Sequence, residues 1–137
     1  MRRVLAVLAL LASTFVVTSP AAADACSGVA VVVDFSAFGG GVQTGCAAGD
    51  PASGLAALTG AGFTYSFVPR QPGFVCRVNA LPNPCTAPTT SAYWSYWHGT
   101  PGGTWSYSTS GAGSHDPAPG TVEGWAFGPG TAPGATP

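Results

Sequence analysis

The sequence has 137 residues, 46% of them apolar and only 7% charged, with four arginines, five acids and no lysine. Without a basic cluster to meet phosphates, nucleic acid is excluded as a partner, and an anionic membrane surface with it. Apolar residues arranged in frequent short bursts likewise exclude a disordered chain.

Arg2 and Arg3, the apolar run from Val4 to Val17 and the small residues Ala21, Ala22 and Ala23 read as a secretory signal over residues 1–23. The run is shorter than the roughly 20 residues that span a bilayer, so no membrane insertion is expected. The expected product is exported and released. Lipid attachment at Cys26 is the lesser alternative, because Ala23-Asp24-Ala25 lacks the large aliphatic residue such a signal wants. The segment after residue 23 is enough for one domain, 24–127, carrying Arg70 and Arg77 against five acids.

"GVAVVVDFSAF" is rich in β-branched residues and predicts a strand, with Gly39 to Gly41 as a turn and "VQTGC" as its hairpin partner. The three glycines are no phosphate loop, since no Gly-Lys-Ser/Thr comes after them. "DPASGLAALTGAGF" predicts one short helix, N-capped by Ser53 and held by Leu55 and Leu58 on a sheet. "FTYSF", "GFVCRVN", "AYWSYWH", "TWSYS" and "TVEGWAF" then predict short strands, and the uncharged "GPGTAPGATP", residues 128–137, predicts a flexible tail. The fold class expected is α+β and β-rich: a single domain of antiparallel hairpins with one short helix.

Four cysteines in a small exported domain predict two disulfides. The turn-forming loop "RVNALPNP" draws Cys76 to Cys85, which leaves Cys26 for Cys46. On the loop-entropy model each closure contributes about 3 kcal/mol. The spacing lacks a CxxC pair, so a zinc site built from these cysteines is not expected.

Six aromatic rings lie between Ser91 and Ser108, a stretch with no formal charge. Strand alternation puts Tyr93, Ser95 and Trp97 on one face and Trp94, Tyr96 and His98 on the other. A five-residue loop over 99–103 would set Trp97 opposite Trp105, and Tyr96 opposite Ser106. Trp97, Trp105 and Tyr107 would then form the core under the helix, leaving Trp94, Tyr96 and His98 to a ligand. A four-residue loop would exchange the faces and expose Tyr93 and Trp97 instead, and a sheet covered on both faces would leave every ring in the core.

Catalysis finds few groups. "SHD" at 114–116 cannot form a triad from adjacent residues, His98 and His115 lack an evident third metal ligand, and the separation of Asp34 and Glu123 is open. No catalytic residue, metal or cofactor is expected.

"VAVVVDFSAF", "SGLAALTGAGF", "FVCRVN", "AYWSYW", "GTWSYS" and "GTVEGWAF", in this order, resemble the C-terminal domain of cobalamin carriers of the transcobalamin and intrinsic factor type, also found alone in small secreted actinobacterial proteins. The resemblance covers residues 29–127, with Tyr93-Trp94 and "PGTVEGWAF" carrying most of it. It implies a β-grasp-like arrangement, and places Trp94, Tyr96 and Trp97 on the strand that bears the family's apolar ligand surface. The carriers' helical half is missing, which implies an open face or a second chain completing the site. The function expected is therefore a secreted, non-catalytic binding module for a bulky, weakly polar small molecule such as a corrinoid, through Trp94, Tyr96, Trp97 and His98. The alternatives are a surface domain that docks another secreted protein, and a small carbohydrate-binding module.

Overall fold

Alternating burial along Gly28–Asp34 (β1) sets the architecture: Val29, Val31 and Val33 are fully buried on one face, while Ala30, Val32 and Asp34 point to the other. In the computed structural model, which describes residues 12–15 and 25–137, β1 pairs antiparallel with Val42–Ala48 (β2). Gly39, left-handed at φ 77°, closes the short 3-10 turn Ser36–Phe38 between them. Apart from residues 12–15, the leader expected over 1–23 lies outside the described residues.

The helix α1 spans Gly54–Gly60, and the Ser53 hydroxyl accepts the Ala56 N–H at 3.0 Å, as the sequence predicts. Two strands, Tyr65–Val68 (β3) and Gln71–Val78 (β4), form a separate antiparallel ladder. Tyr93–Gly99 (β5), Ser106–Tyr107 (β6) and Val122–Gly128 (β7) complete the main sheet, in the order β2-β1-β7-β5-β6. The described residues are thus α+β and β-rich, with one short helix and the two disulfides Cys26–Cys46 and Cys76–Cys85. Because Cys26 is bonded to Cys46, its sulfur is not free to carry a lipid. The sheet is not built of antiparallel hairpins alone, since β7 runs parallel to β1.

The two faces of this sheet differ in bulk. On one, Val29, Val31, Val33, Trp94, Tyr96 and Trp125 meet Leu55, Ala57 and Leu58 of α1 in the main core. The face expected to serve a ligand is therefore the one that the helix covers. The volume of the three β1 valines decides this, and the β5–β6 pair alone could not reveal it. The observed register sets Trp97 opposite Tyr107 and His98 opposite Ser106, two residues from the expected one, so the parity holds although the covered face is reversed.

The opposite face carries small residues, among them Ser95, Gly99, Gly124 and Ala126, and Trp105 lies over them instead of joining a strand. A Cβ on Gly124 would stand 2.6 Å from the Trp105 ring, and one on Gly99 would stand 2.6 Å from Pro137. Residues 128–137, expected as a flexible tail, pack here. The Trp105 indole donates to the Ala135 carbonyl at 2.7 Å, Gly102 N–H to Pro137 O at 2.9 Å, and Gly134 N–H to Asp34 Oδ2 at 2.7 Å. Gly and Pro are what such close backbone approach requires, and the same composition reads as a linker in the sequence alone. Partial desolvation opposes ionisation of Asp34, but the hydrogen bonds from Ser36 and Gly134 outweigh it and hold its pKa below the ordinary carboxylate value.

Gly124→Ala should lift Trp105 off the sheet, lowering stability by about 1–3 kcal/mol, as overpacking does. Urea unfolding, with a red shift of the native tryptophan emission, would show it; unchanged stability would mean that Trp105 does not hold the tail.

Candidate functional site

The antiparallel pairing of β5 with β7 sets His98 opposite Glu123 and Tyr96 opposite Trp125, all four on the helix face. Glu123 is only 1% exposed in the middle of this group. The Tyr96 hydroxyl donates a short hydrogen bond to Glu123 Oε1, and His98 Nδ1 lies 2.7 Å from Glu123 Oε2. Burial first, and then the hydrogen bond to the Glu123 carboxylate, push the Tyr96 hydroxyl well above the usual phenol range.

The far side of His98 fixes its protons. Its Nε2 lies 2.8 Å from Ser108 Oγ, which also sits 2.7 Å from the Ser110 carbonyl oxygen. A carbonyl can only accept, so the single Ser108 hydroxyl proton goes to Ser110, and Ser108 accepts from His98 Nε2–H and from the Ser110 N–H at 3.2 Å. Ser108, His98 and Glu123 follow the connectivity of a nucleophile–base–acid triad, but this wiring leaves no lone pair on Nε2 to activate Ser108.

His115 comes from the loop after β6, held by its N–H to Gly111 O at 3.2 Å and by its carbonyl, which accepts the Gly54 N–H at 3.0 Å. Its ring centroid lies 3.8 Å from that of His98. Ser114 and Asp116 beside it are exposed, so "SHD" does not converge. Asp34 lies on the opposite face from Glu123, which separates that carboxylate pair as well. A cleft of about 690 Å³, lined by His98, His115, Asp116, Thr100 and Glu123, opens beside the cluster.

On its other side Tyr96 stacks on Trp125, with centroids 4.8 Å apart and planes at 29°. Three of the four tryptophans satisfy their indole N–H: Trp94 on Leu81 O, Trp97 on Ser95 Oγ and Trp105 on Ala135 O. Trp125, 2% exposed, has no partner for its own among the described residues. Trp125 lines a cavity of about 580 Å³ beside β5, where Gly73, Phe74 and Val75 of β4 approach across from Tyr107 and Ser108. Phe74 and Tyr93, with Tyr107, also border an adjoining hollow of about 490 Å³ against Pro88, Thr89 and Thr90. Phe74 is 42% and Tyr107 50% exposed, and the Tyr93 and Tyr107 hydroxyls are 2.9 Å apart.

Of the site residues expected from the sequence, Trp94, Tyr96 and Trp97 are buried and form no open platform. Trp94 and Tyr96 wall the Trp125 cavity from within, Trp97 faces the small-residue side, and His98 is half-buried in the polar cluster. Glu123, His115, Ser108, Trp125 and Phe74 are not among the site residues that the sequence predicts. The pairing of "AYWSYWH" with "TVEGWAF" is the signal that brings Glu123 to His98, and Trp125 to Tyr96. Of the rings beside these cavities, Phe74 and Tyr107 are open to solvent.

A family model described as the SCO2322-like domain matches residues 86–133, a stretch that includes β5, β6 and β7. No curated protein and no solved structure matches the chain.

A tyrosine whose pKa is raised by folding lends stability that is fully present below its unfolded value and is lost as pH rises beyond it. With that value at 10.0 for Tyr96, stability should hold up to about pH 10 and then fall. Tyr96→Phe should flatten this alkaline slope while lowering stability at neutral pH by about 1–3 kcal/mol, the consequence of stranding Glu123 Oε1. Urea midpoints measured across the alkaline range would check both; an unchanged slope would place the ionising group elsewhere.

Proposed function

We propose that the protein is an exported binding module for a neutral, ring-bearing small molecule, held in the aromatic cavity between β4 and β5. The observation that carries this reading is the Trp125 N–H: a buried donor without a partner among the described residues, on a tryptophan that lines a cavity of about 580 Å³. An unpaired buried donor costs about 1–3 kcal/mol, so a ligand that brings an acceptor to it recovers that term. The other walls suit the same ligand. Phe74, Tyr93 and Tyr107 offer ring faces, Ser108 to Ser110 offer polar groups, and no charged side chain lines the cavity. Volume and chemistry fit one or two rings with a carbonyl, ether or hydroxyl acceptor.

Export rests on the leader-like residues 1–23, and the two disulfides suit an oxidising compartment. The order of the main sheet, with β7 parallel to β1 and α1 on one face, supports the β-grasp-like arrangement that the cobalamin-carrier resemblance implies. A corrinoid belongs among the ligands to test. Its macrocycle would meet this chain at the rim of Phe74, Tyr93 and Tyr107, since Trp94, Tyr96 and Trp97 are buried.

The test is isothermal calorimetry against neutral aromatics, soluble oligosaccharides and corrinoids, with wild type, Phe74→Ala and Trp125→Phe. At least one class should bind saturably. Phe74→Ala should weaken it strongly, and Trp125→Phe by about tenfold, the worth of one hydrogen bond near 1.4 kcal/mol. Binding confined to oligosaccharides would identify a carbohydrate-binding module. No heat with any class would remove the small-molecule reading and favour a surface that docks another protein.

A further inference from the structure

We propose that His98, His115 and Glu123 form a site for one divalent transition-metal ion of the zinc type, with a coordination position open to the adjoining cleft. One donor atom from each lies within 4.8 Å of the other two. Two imidazoles and one carboxylate are a ligand set used for zinc where the fourth position is left to water or substrate. Nitrogen donors suit zinc, copper and nickel, whereas calcium and magnesium take oxygen.

The proton wiring adds an independent argument. The only proton on a neutral His98 is taken up at Nε2 by Ser108, so Nδ1 presents a lone pair to Glu123 Oε2 at 2.7 Å. Two acceptors held this close need something between them, either a shared proton or a metal ion. The remaining groups are arranged as supports for ligands. Tyr96 fixes Glu123 through Oε1, and Ser108 fixes the His98 ring through Nε2, which is the outer-shell pattern that orients metal-binding histidines and carboxylates. Neither support uses the atom that would face the ion.

His115 completes the set without being needed for the pair. Its ring makes no hydrogen bond among the described residues and is half-exposed at the cleft, so rotation of its side chain brings a nitrogen onto an ion bound at Nδ1 and Oε2. Metal–ligand bonds of about 2.0–2.2 Å hold neighbouring donors about 3.3 Å apart in a tetrahedral site, so Nδ1 and Oε2 separate slightly and His115 closes in. Thr100 and Asp116 also line this cleft.

Protein freed of metal by a chelator and dialysed would be titrated with Zn²⁺ by calorimetry and with Co²⁺ by visible absorption. Wild type should bind one ion per chain, show the intense d–d bands of four-coordinate Co²⁺ and gain thermal stability, with no comparable response to Ca²⁺. His115→Ala should stay folded without metal, because the His98–Glu123 pair stays intact, and should lose at least a hundredfold in affinity. Ser108→Ala, which removes only a support, should lose about tenfold. Folded wild type without stoichiometric binding, or His115→Ala binding as tightly as wild type, would overturn the site and leave His98 and Glu123 as a proton-bridged pair. An equal response to Ca²⁺ would overturn the zinc-type assignment.

Discussion

The parallel pairing of β7 with β1 is the constraint on which the remaining structure depends. It inserts "VEGWAFG" between the first strand and the aromatic strand, which makes β7 a central strand that both neighbours hydrogen-bond. Glu123 and Trp125 then enter the helix-covered face, while Gly124 and Ala126 go to the other. One strand thereby supplies the buried carboxylate, the unpartnered indole donor and the flat lane over which Trp105 lies. A shift of one residue would reverse all of these at once, burying Gly124 under α1 and turning Glu123 toward the tail. A valine lane on one side and a glycine and alanine lane on the other specify the observed alternative.

Local structure is legible in the sequence because its causes are local. The β-branched run, the glycine turn, the Ser53 cap and the proline-bearing loop between Cys76 and Cys85 each act over a few residues, and each forms as the residues predict. The site is not legible in the same way because it depends on pairings between distant segments. His98 and Glu123 are 25 positions apart, and Trp97 lies opposite Tyr107 only because Thr104 and Trp105 leave the ladder. The aromatic stretch does supply β5, which packs into the core, but β5 and β6 alone do not assign its faces. That assignment comes from β1, whose three valines require the helix.

Gly128 to Pro137 shows the same limit from the opposite direction. Composition measures how readily a segment can be disordered, and this one has no charge and no periodicity. It is ordered by partners elsewhere: the Trp105 indole, the Asp34 carboxylate and two glycines that leave room for prolines. Rigid residues lose little entropy on docking, so a few good contacts hold them.

The scarcity of charge gives the buried carboxylate its significance. A carboxylate withdrawn from water needs a compensating charge or several donors, and isolation is costly. Glu123 has one neutral donor, Tyr96, and its only ion-pair partner among the described residues is His98. The sequence contains no lysine, and of the arginines after the leader, Arg77 lies on the separate β3–β4 ladder, where it donates to Ser66 at 3.1 Å, while Arg70 is exposed in the turn between those strands. No permanently charged side chain is therefore assigned to Glu123. Its compensation has to be acquired, as a proton on the imidazole or as an ion from solution, and the cleft beside His98 and His115 is the side from which either would arrive. A fold with so few charges has placed Glu123, the one buried acid among the described residues, where the charge that balances it is exchangeable.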